Sequence, residues 1–274
     1  MRLPMGATRE VIRWTIRPTY ALMPVGAQRM VGDAMGRLQR MPRGITVKRV
    51  LLGGRPALRY ASPTASTEAA ILWLHGGAFI TGSVHTHGSF AGVLALETGL
   101  PVYLLDYRLA PEHRHPAAVD DSVAALRDVP EVRVVLGGDS AGGCLALLAL
   151  ARAPRPVSGL ALVSPLVDLT HETARRYDGQ EVLVSDRWAA MGVRAMFGDD
   201  LPSVPDPTVP TVVHVAEHER LRAEGEALAA RTGAELFCVA GGWHDVHLQA
   251  QGVKAARDAV RRLSASIQQM VRTR

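Results

Sequence analysis

A chain of 274 residues, 47% hydrophobic and 21% charged, has the size and balance of a folded globular protein whose core needs no disulfide or metal staple. The formal net charge of +5 raises the question of a polyanionic partner, but the arginines are spread along the chain without a dense basic run and aromatics make up only 5%, which argues against nucleic-acid binding. No apolar stretch of signal-peptide length opens the chain, and the longest apolar run, near 144–151, is too short to span a bilayer, so the expected location is cytoplasmic or peripheral to a membrane.

Residues 1–43 do not follow a strand–helix rhythm. Pro18 and Pro24 interrupt their first part, and Met30, Val31, Ala34, Met35 and Leu38 then recur at helical spacing, with Arg29, Arg37 and Arg40 among them. That spacing predicts an amphipathic helix. Its apolar stripe needs a surface, either the rest of the protein, as a cap over a pocket, or a membrane met peripherally. Ile45–Leu52 and Pro56–Ala61 flank Gly53, Gly54 and Arg55 and predict a hairpin. Six short runs follow: Ile71–Leu74, Val102–Leu105, Val132–Leu136, Leu160–Val163, Thr211–Val215 and Leu236–Val239. Each is rich in Val, Leu and Ile without alternation, as strands buried on both faces are. Helical patterns at Ala117–Leu126, Ala141–Ala151 and Leu221–Ala230, and a last one through Val253, Ala256, Val260, Leu263 and Ile267, lie between and after them. Strand and helix in alternation predict an α/β protein with a mostly parallel sheet covered on both faces. Residues 165–209, with Pro165, Pro202, Pro205 and Pro207 and one helical candidate at Arg187–Met196, read as a short cap insertion in a core that spans 44–274. Cys144 and Cys238 sit in apolar runs and read as core thiols, neither a disulfide nor a zinc site.

Gly138-Asp139-Ser140-Ala141-Gly142 follows a predicted strand and opens a predicted helix. A serine at such a tight turn has its hydroxyl above the sheet edge, and glycines on either side relieve clashes with the neighbouring strand and helix. His75-Gly76-Gly77-Ala78-Phe79 follows another strand. Backbone N–H groups of Gly76, Gly77 and Ala78, with that of Ala141, are the expected donors to a developing oxyanion. Two His-x-His pairs, His85/His87 and His113/His115, lie on irregular loops with no carboxylate third ligand in view, and no metal site is expected from them.

These motifs, with Asp106-Tyr107-Arg108-Leu109-Ala110-Pro111-Glu112 between them and Ser164-Pro165-Leu166-Val167-Asp168-Leu169-Thr170 after them, resemble the hormone-sensitive lipase family, also called bacterial family IV esterases. The resemblance runs from about Leu72 to Leu248. It implies an α/β-hydrolase fold with an N-terminal helical cap, hydrolysis of small-molecule carboxylic esters without a cofactor, and a Ser–Asp/Glu–His triad. Ser140 falls at the family's nucleophile. Ala216-Glu217-His218-Glu219-Arg220-Leu221-Arg222 matches the stretch that carries the acid, with Glu219 at the acid position and Glu217 as its rival. The histidine follows the final strand, which makes His244 the expected base and His247 the competitor, with Asp245 read as a helix cap. His87 is expected to shape its loop, and Asp106, Arg108 and Asp168 to hold loops by buried hydrogen bonds. Three departures stand out. Ala78 replaces a third glycine, which makes a glycine-only backbone conformation unexpected there. The segment between Glu112 and Ser140 and the 165–209 insertion are both shorter than usual for the family, which hints at a trimmed cap and a more open pocket, and the short insertion at a preference for short and medium acyl chains. The same triad would serve an amidase or peptidase. An inactive binding protein on this fold would be expected to lack a triad member, and here all three are present.

Overall fold

The computed structural model describes residues 4–177, 179 and 181–272. Eight strands form one sheet: β1 (Thr46–Leu52), β2 (Arg55–Ala61), β3 (Ala69–Leu74), β4 (Val102–Leu105), β5 (Arg133–Asp139), β6 (Gly159–Val163), β7 (Thr211–His218) and β8 (Glu235–Trp243). Their order is β1-β2-β4-β3-β5-β6-β7-β8. The β1–β2 and β2–β4 pairings are antiparallel and all others parallel. This is the α/β-hydrolase fold, and it matches the expected α/β class.

The helices begin with α1 (Met5–Val11), a π-helical turn (Ile12–Ile16), α2 (Arg17–Leu22) and α3 (Val25–Leu38). The core helices are α4 (Gly88–Thr98), α5 (Ala117–Asp128) and α6 (Ala141–Leu150). Between β6 and β7 lie α7 (Glu172–Arg175) and α8 (Asp186–Phe197), then come α9 (Arg222–Thr232), a 3₁₀ turn (Val246–Gln249) and α10 (Lys254–Arg272).

The continuous apolar runs have their explanation in the packing. Along β3, Leu72 and Leu74 join residues of α5, α6 and α9 in one core, while Ile71 and Trp73 join those of α4 and α10 in another. All six residues of β3 are buried. Gly137 in β5 is a glycine because the Trp73 ring lies where its side chain would be. Helix α4 had no counterpart among the predicted elements. It is buried nearly all round, so it carries no one-sided apolar periodicity to detect.

The α3 stripe corrects an expectation. Helix α3 forms, but Met30, Met35 and Leu38 are 69%, 49% and 84% exposed. The side facing the protein is Gln28, Gly32 and Gly36. A Cβ at Gly36 would collide with the backbone of His85 and Thr86, so the glycine permits this close approach. Polar bonds hold the same side. Arg29 donates to the carbonyls of Ile80 and Ala110 and pairs with Glu112, Ser83 donates to Asp33, and Trp188 of α8 donates to Gln28. The N-terminal segment therefore packs on the protein by its polar and glycine side, and its apolar stripe is left outward.

Candidate active site

Ser140 sits between β5 and α6 with φ 52° and ψ −121°, a conformation that L-residues rarely adopt. Two glycines make it possible. A Cβ at Gly138 would meet the backbone of Gly142, and one at Gly142 would meet the carbonyl of Leu74. The turn brings the Ser140 hydroxyl to the N-terminus of α6, 3.0 Å from His244 Nε2. His244 follows β8, and its Nδ1 lies 2.9 Å from Glu219 Oε2. Glu219 is fully buried and its other oxygen accepts from the Ala216 N–H, which fixes the carboxylate. Ser140, Glu219 and His244 are thus brought together. Glu217 instead accepts from the Gly241 N–H at the surface, and His247 faces His214 in the interior at 3.0 Å.

Gly77, Ala78 and Ala141 have N–H groups with no acceptor among the described residues, next to the Ser140 hydroxyl in the case of Ala141. Gly76 does not share this property. Its N–H donates to Asp139 Oδ2 at 2.9 Å, so it is committed to holding the loop and is withdrawn as an oxyanion donor. Ala78 takes the left-handed backbone after all, at φ 50°, and Phe79 does likewise at 64°. Helix α8 makes this possible: Gly192 lies against Ala78, and a Cβ there would strike its carbonyl and methyl.

Two residues of the site escaped sequence reasoning. Asp139, inside the serine motif, accepts from Trp73 Nε1 and the Gly76 N–H and pairs with His87 Nε2 at 2.9 Å. It ties β5, the glycine loop and the start of α4 into one unit. Burial works against the His87 cation, but Asp139 outweighs it and raises His87 above its usual value. The second is Asp245. It stands at φ 54° before the 3₁₀ turn but makes no side-chain cap bond, contrary to the helix-cap expectation. Its carboxylate turns back instead, with Oδ2 3.2 Å from His244 Nε2, and its Oδ1 has no hydrogen-bond partner among the described residues. Burial alone would lower His244, but Asp245 and then Glu219 hold it well above the usual histidine value. Burial raises Asp245 itself to about 6.

The remaining candidates fall into place around this centre. His85 contacts Arg37, and no group of three or more metal-binding side chains occurs among the described residues. Arg108 binds Asp121 of α5, and Asp168 closes its own turn through Thr170 and Thr173. Asp106 acts through its carbonyl, which accepts from Arg55. Cys144 and Cys238 are free thiols, Cys144 buried and Cys238 half-buried.

Ser140, His244 and Asp245 line a cavity of about 200 Å³. Its apolar wall comes from Ile12 and Ile16 of the N-terminal segment, Leu183, Val184 and Trp188 of the insertion, and Trp243, while Gln39, Thr81, Thr86 and Gln249 add polar groups. A separate surface cleft of about 470 Å³ beside Asp168 and Glu224 does not include Ser140.

Ser140, His244 and Glu219 thus form a buried chain of hydrogen bonds on this sheet. The sequence profile of a family described as alpha/beta hydrolase fold matches residues 71–248. LipR of Mycobacterium tuberculosis, named as an acetyl-hydrolase, is 30% identical over 97% of this chain and 95% of its own length. An esterase of Acinetobacter venetianus is 32% identical over 78% of each chain. Among solved structures, a hormone-sensitive lipase from a metagenome library superimposes with a TM-score of 0.88 at 26% identity over 99% of each chain. An esterase of the bacterial hormone-sensitive lipase family does so with 0.85 at 26% identity over 99% of this chain and 100% of the other. The chain belongs to the alpha/beta hydrolase family, in its hormone-sensitive lipase group, and is a carboxylic ester hydrolase.

Proposed function

We propose that the protein hydrolyses short- to medium-chain acyl esters through an acyl-enzyme on Ser140, with His244 as base and Glu219 as its acid. The observation that carries this reading is the relay of 3.0 and 2.9 Å from Ser140 Oγ through His244 to Glu219. His244 Nε2 takes the hydroxyl proton as Ser140 Oγ attacks the ester carbonyl. Glu219 accepts from Nδ1–H, keeps the tautomer and stabilises the imidazolium. The N–H groups of Gly77, Ala78 and Ala141 hold the oxyanion. Nε2–H then protonates the leaving alcohol, and water repeats the sequence to release the acid. We assign residues 1–43 and 165–209 as the cap over a core of 44–274, because both segments line the cavity.

The chain-length preference rests on the cavity. At about 200 Å³ it lies below the roughly 300–1,000 Å³ of common ligand pockets. Each further CH₂ gains its ~0.8 kcal/mol only if the wall can cover it. In a p-nitrophenyl ester series from acetate to palmitate, kcat/KM is expected to peak between acetate and hexanoate. Rates that climb steadily to the longest, insoluble esters would refute the preference.

A pH effect follows from Asp245. In the reactive tautomer Nε2 offers a lone pair to Ser140, and a carboxylate oxygen 3.2 Å from that lone pair is repelled unless a proton lies between them. Asp245 therefore favours the protonated imidazole, in which the base is occupied. Glu219, Asp139 and His87 are the other charged groups around it. Activity must rise as pH climbs through the raised His244 value. Asp245→Asn removes one of the two carboxylates that raise it, and asparagine tolerates the left-handed backbone. The acid limb of kcat/KM is expected to move down by about one pH unit, a gain of about tenfold on that limb. Superimposable profiles for the variant and the parent would overturn this role.

A further inference from the structure

Charge is divided unevenly along the chain. Residues 1–43 hold eight arginines against two acids, Glu10 and Asp33, while the remaining residues hold twenty-three basic side chains against twenty-four acidic. The first segment thus carries more than the whole net charge of +5, and the catalytic core is close to neutral. Arginines that look spread along the sequence are one-sided once their acidic counterparts are counted.

The same segment, a small part of the chain, holds seven of the fourteen exposed large apolar side chains among the described residues. Trp14 and Leu22 are 70% and 84% exposed, and Met30, Met35 and Leu38 share the outward arc of α3. A helix packed on a protein normally buries its apolar stripe. Here the stripe faces out and the glycine side faces in. Arg37, Arg40 and Arg43, all exposed, follow that arc and the turn after it. An exposed apolar stripe bordered by unneutralised arginines is the pattern of a helix that lies in a lipid headgroup layer.

We propose that the N-terminal cap is a docking surface for an anionic lipid bilayer, with the α3 stripe set among the acyl chains and the arginines on the headgroups. No helix among the described residues is long and apolar enough to cross a membrane, so the contact is peripheral. The surface is joined to the site described above. Met35 belongs to the outward stripe and also lines the cavity that holds Ser140, next to Gly36 and Gln39. Docking by this face sets the cavity mouth at the lipid surface, so that an ester dissolved in the headgroup region reaches it without crossing water. That consequence rests on the proposed role of Ser140. The docking itself does not.

The test is co-sedimentation of the full chain with vesicles of phosphatidylcholine alone and of phosphatidylcholine with phosphatidylglycerol. Binding is expected to the anionic vesicles, to weaken as salt is raised, and to be slight on the zwitterionic ones. Met30→Gln with Leu38→Gln, two side chains that do not line the cavity, should lower the partition coefficient roughly tenfold. Arg37→Glu, Arg40→Glu and Arg43→Glu together should lower it about a hundredfold. Hydrolysis of p-nitrophenyl acetate, followed in parallel, should be unchanged in the glutamine variant, which separates lost docking from a lost site or a lost fold. Absence of binding to anionic vesicles, or binding indifferent to both sets of substitutions, overturns the proposal. So does a dimer of the parent protein, seen by analytical ultracentrifugation, that Met30→Gln and Leu38→Gln dissolve, because the stripe would then be covered by a second copy of the chain.

Discussion

Replacing Ser140 with alanine is expected to lower kcat for ester hydrolysis by a factor on the order of 10⁶. The hydroxyl lies 3.0 Å from His244 Nε2, and in the proposed mechanism the triad acts as a unit, so its loss removes most of what the three residues would do together. The substitution is mild for the fold. Alanine keeps the Cβ that the turn already accommodates at φ 52°, and Gly138 and Gly142 still provide the space around it. The fold is held meanwhile by bonds that do not involve the hydroxyl, such as the Ser140 N–H to the Val163 carbonyl at 2.9 Å. Turnover of p-nitrophenyl butyrate and a thermal melt, measured on one preparation, check both halves. A well-folded variant with activity within tenfold of the parent would remove Ser140 from the mechanism.

Glu219→Gln is expected to cost roughly 10⁴ in kcat. Its Oε1 bond to the Ala216 N–H can survive in the amide, so the side chain should keep its place. What changes is the group facing His244 Nδ1. An amide nitrogen there donates where the carboxylate accepted, which turns Nδ1 into an acceptor and leaves the proton on Nε2. In that tautomer Nε2 cannot take the serine proton, and no anion remains on the Nδ1 side to stabilise the imidazolium. Glu217→Gln is the internal control. Glu217 is hydrogen-bonded to the Gly241 N–H at the surface and not to His244, and its amide should leave turnover nearly intact. A large loss at Glu217 with little at Glu219 would exchange their assignments while leaving the esterase conclusion in place.

The parts of the molecule that could be read in advance are those whose cause is local. The serine turn is written in Gly138 and Gly142 because neighbouring backbone forbids a Cβ there, and the strands are written in runs such as Ile71–Leu74 because both their faces are covered. What stayed hidden depends on distant groups meeting. Asp139 looked like a spacer between a glycine and the serine. Its work is defined by Trp73, Gly76 and His87, which are more than fifty residues away. Asp245 looked like a cap because an acid before a helical turn normally is one, and only the folded position of His244 draws its carboxylate elsewhere. The α3 stripe shows a different limit. Periodicity shows that Met30, Ala34 and Leu38 share a face, but carries no sign that distinguishes inward from outward. That sign was held by Gly36, whose bare backbone marks the side of close approach, with Gly32 buried on the same side.

The seating of Ala78 on Gly192 has a bearing on how such a molecule can be altered. The conformation of the 75–79 loop is not written in that loop, since an alanine at φ 50° would by preference relax to ordinary backbone. It is moulded from outside, by a helix of the 165–209 insertion whose glycine fits the alanine's carbonyl and methyl. The insertion and the loop are therefore structurally coupled. Grafting a cap from a relative that carries a bulkier residue at that seat would exchange more than the walls of the cavity. It would release the mould, and with it the placing of the Gly77 and Ala78 N–H groups proposed to hold the oxyanion.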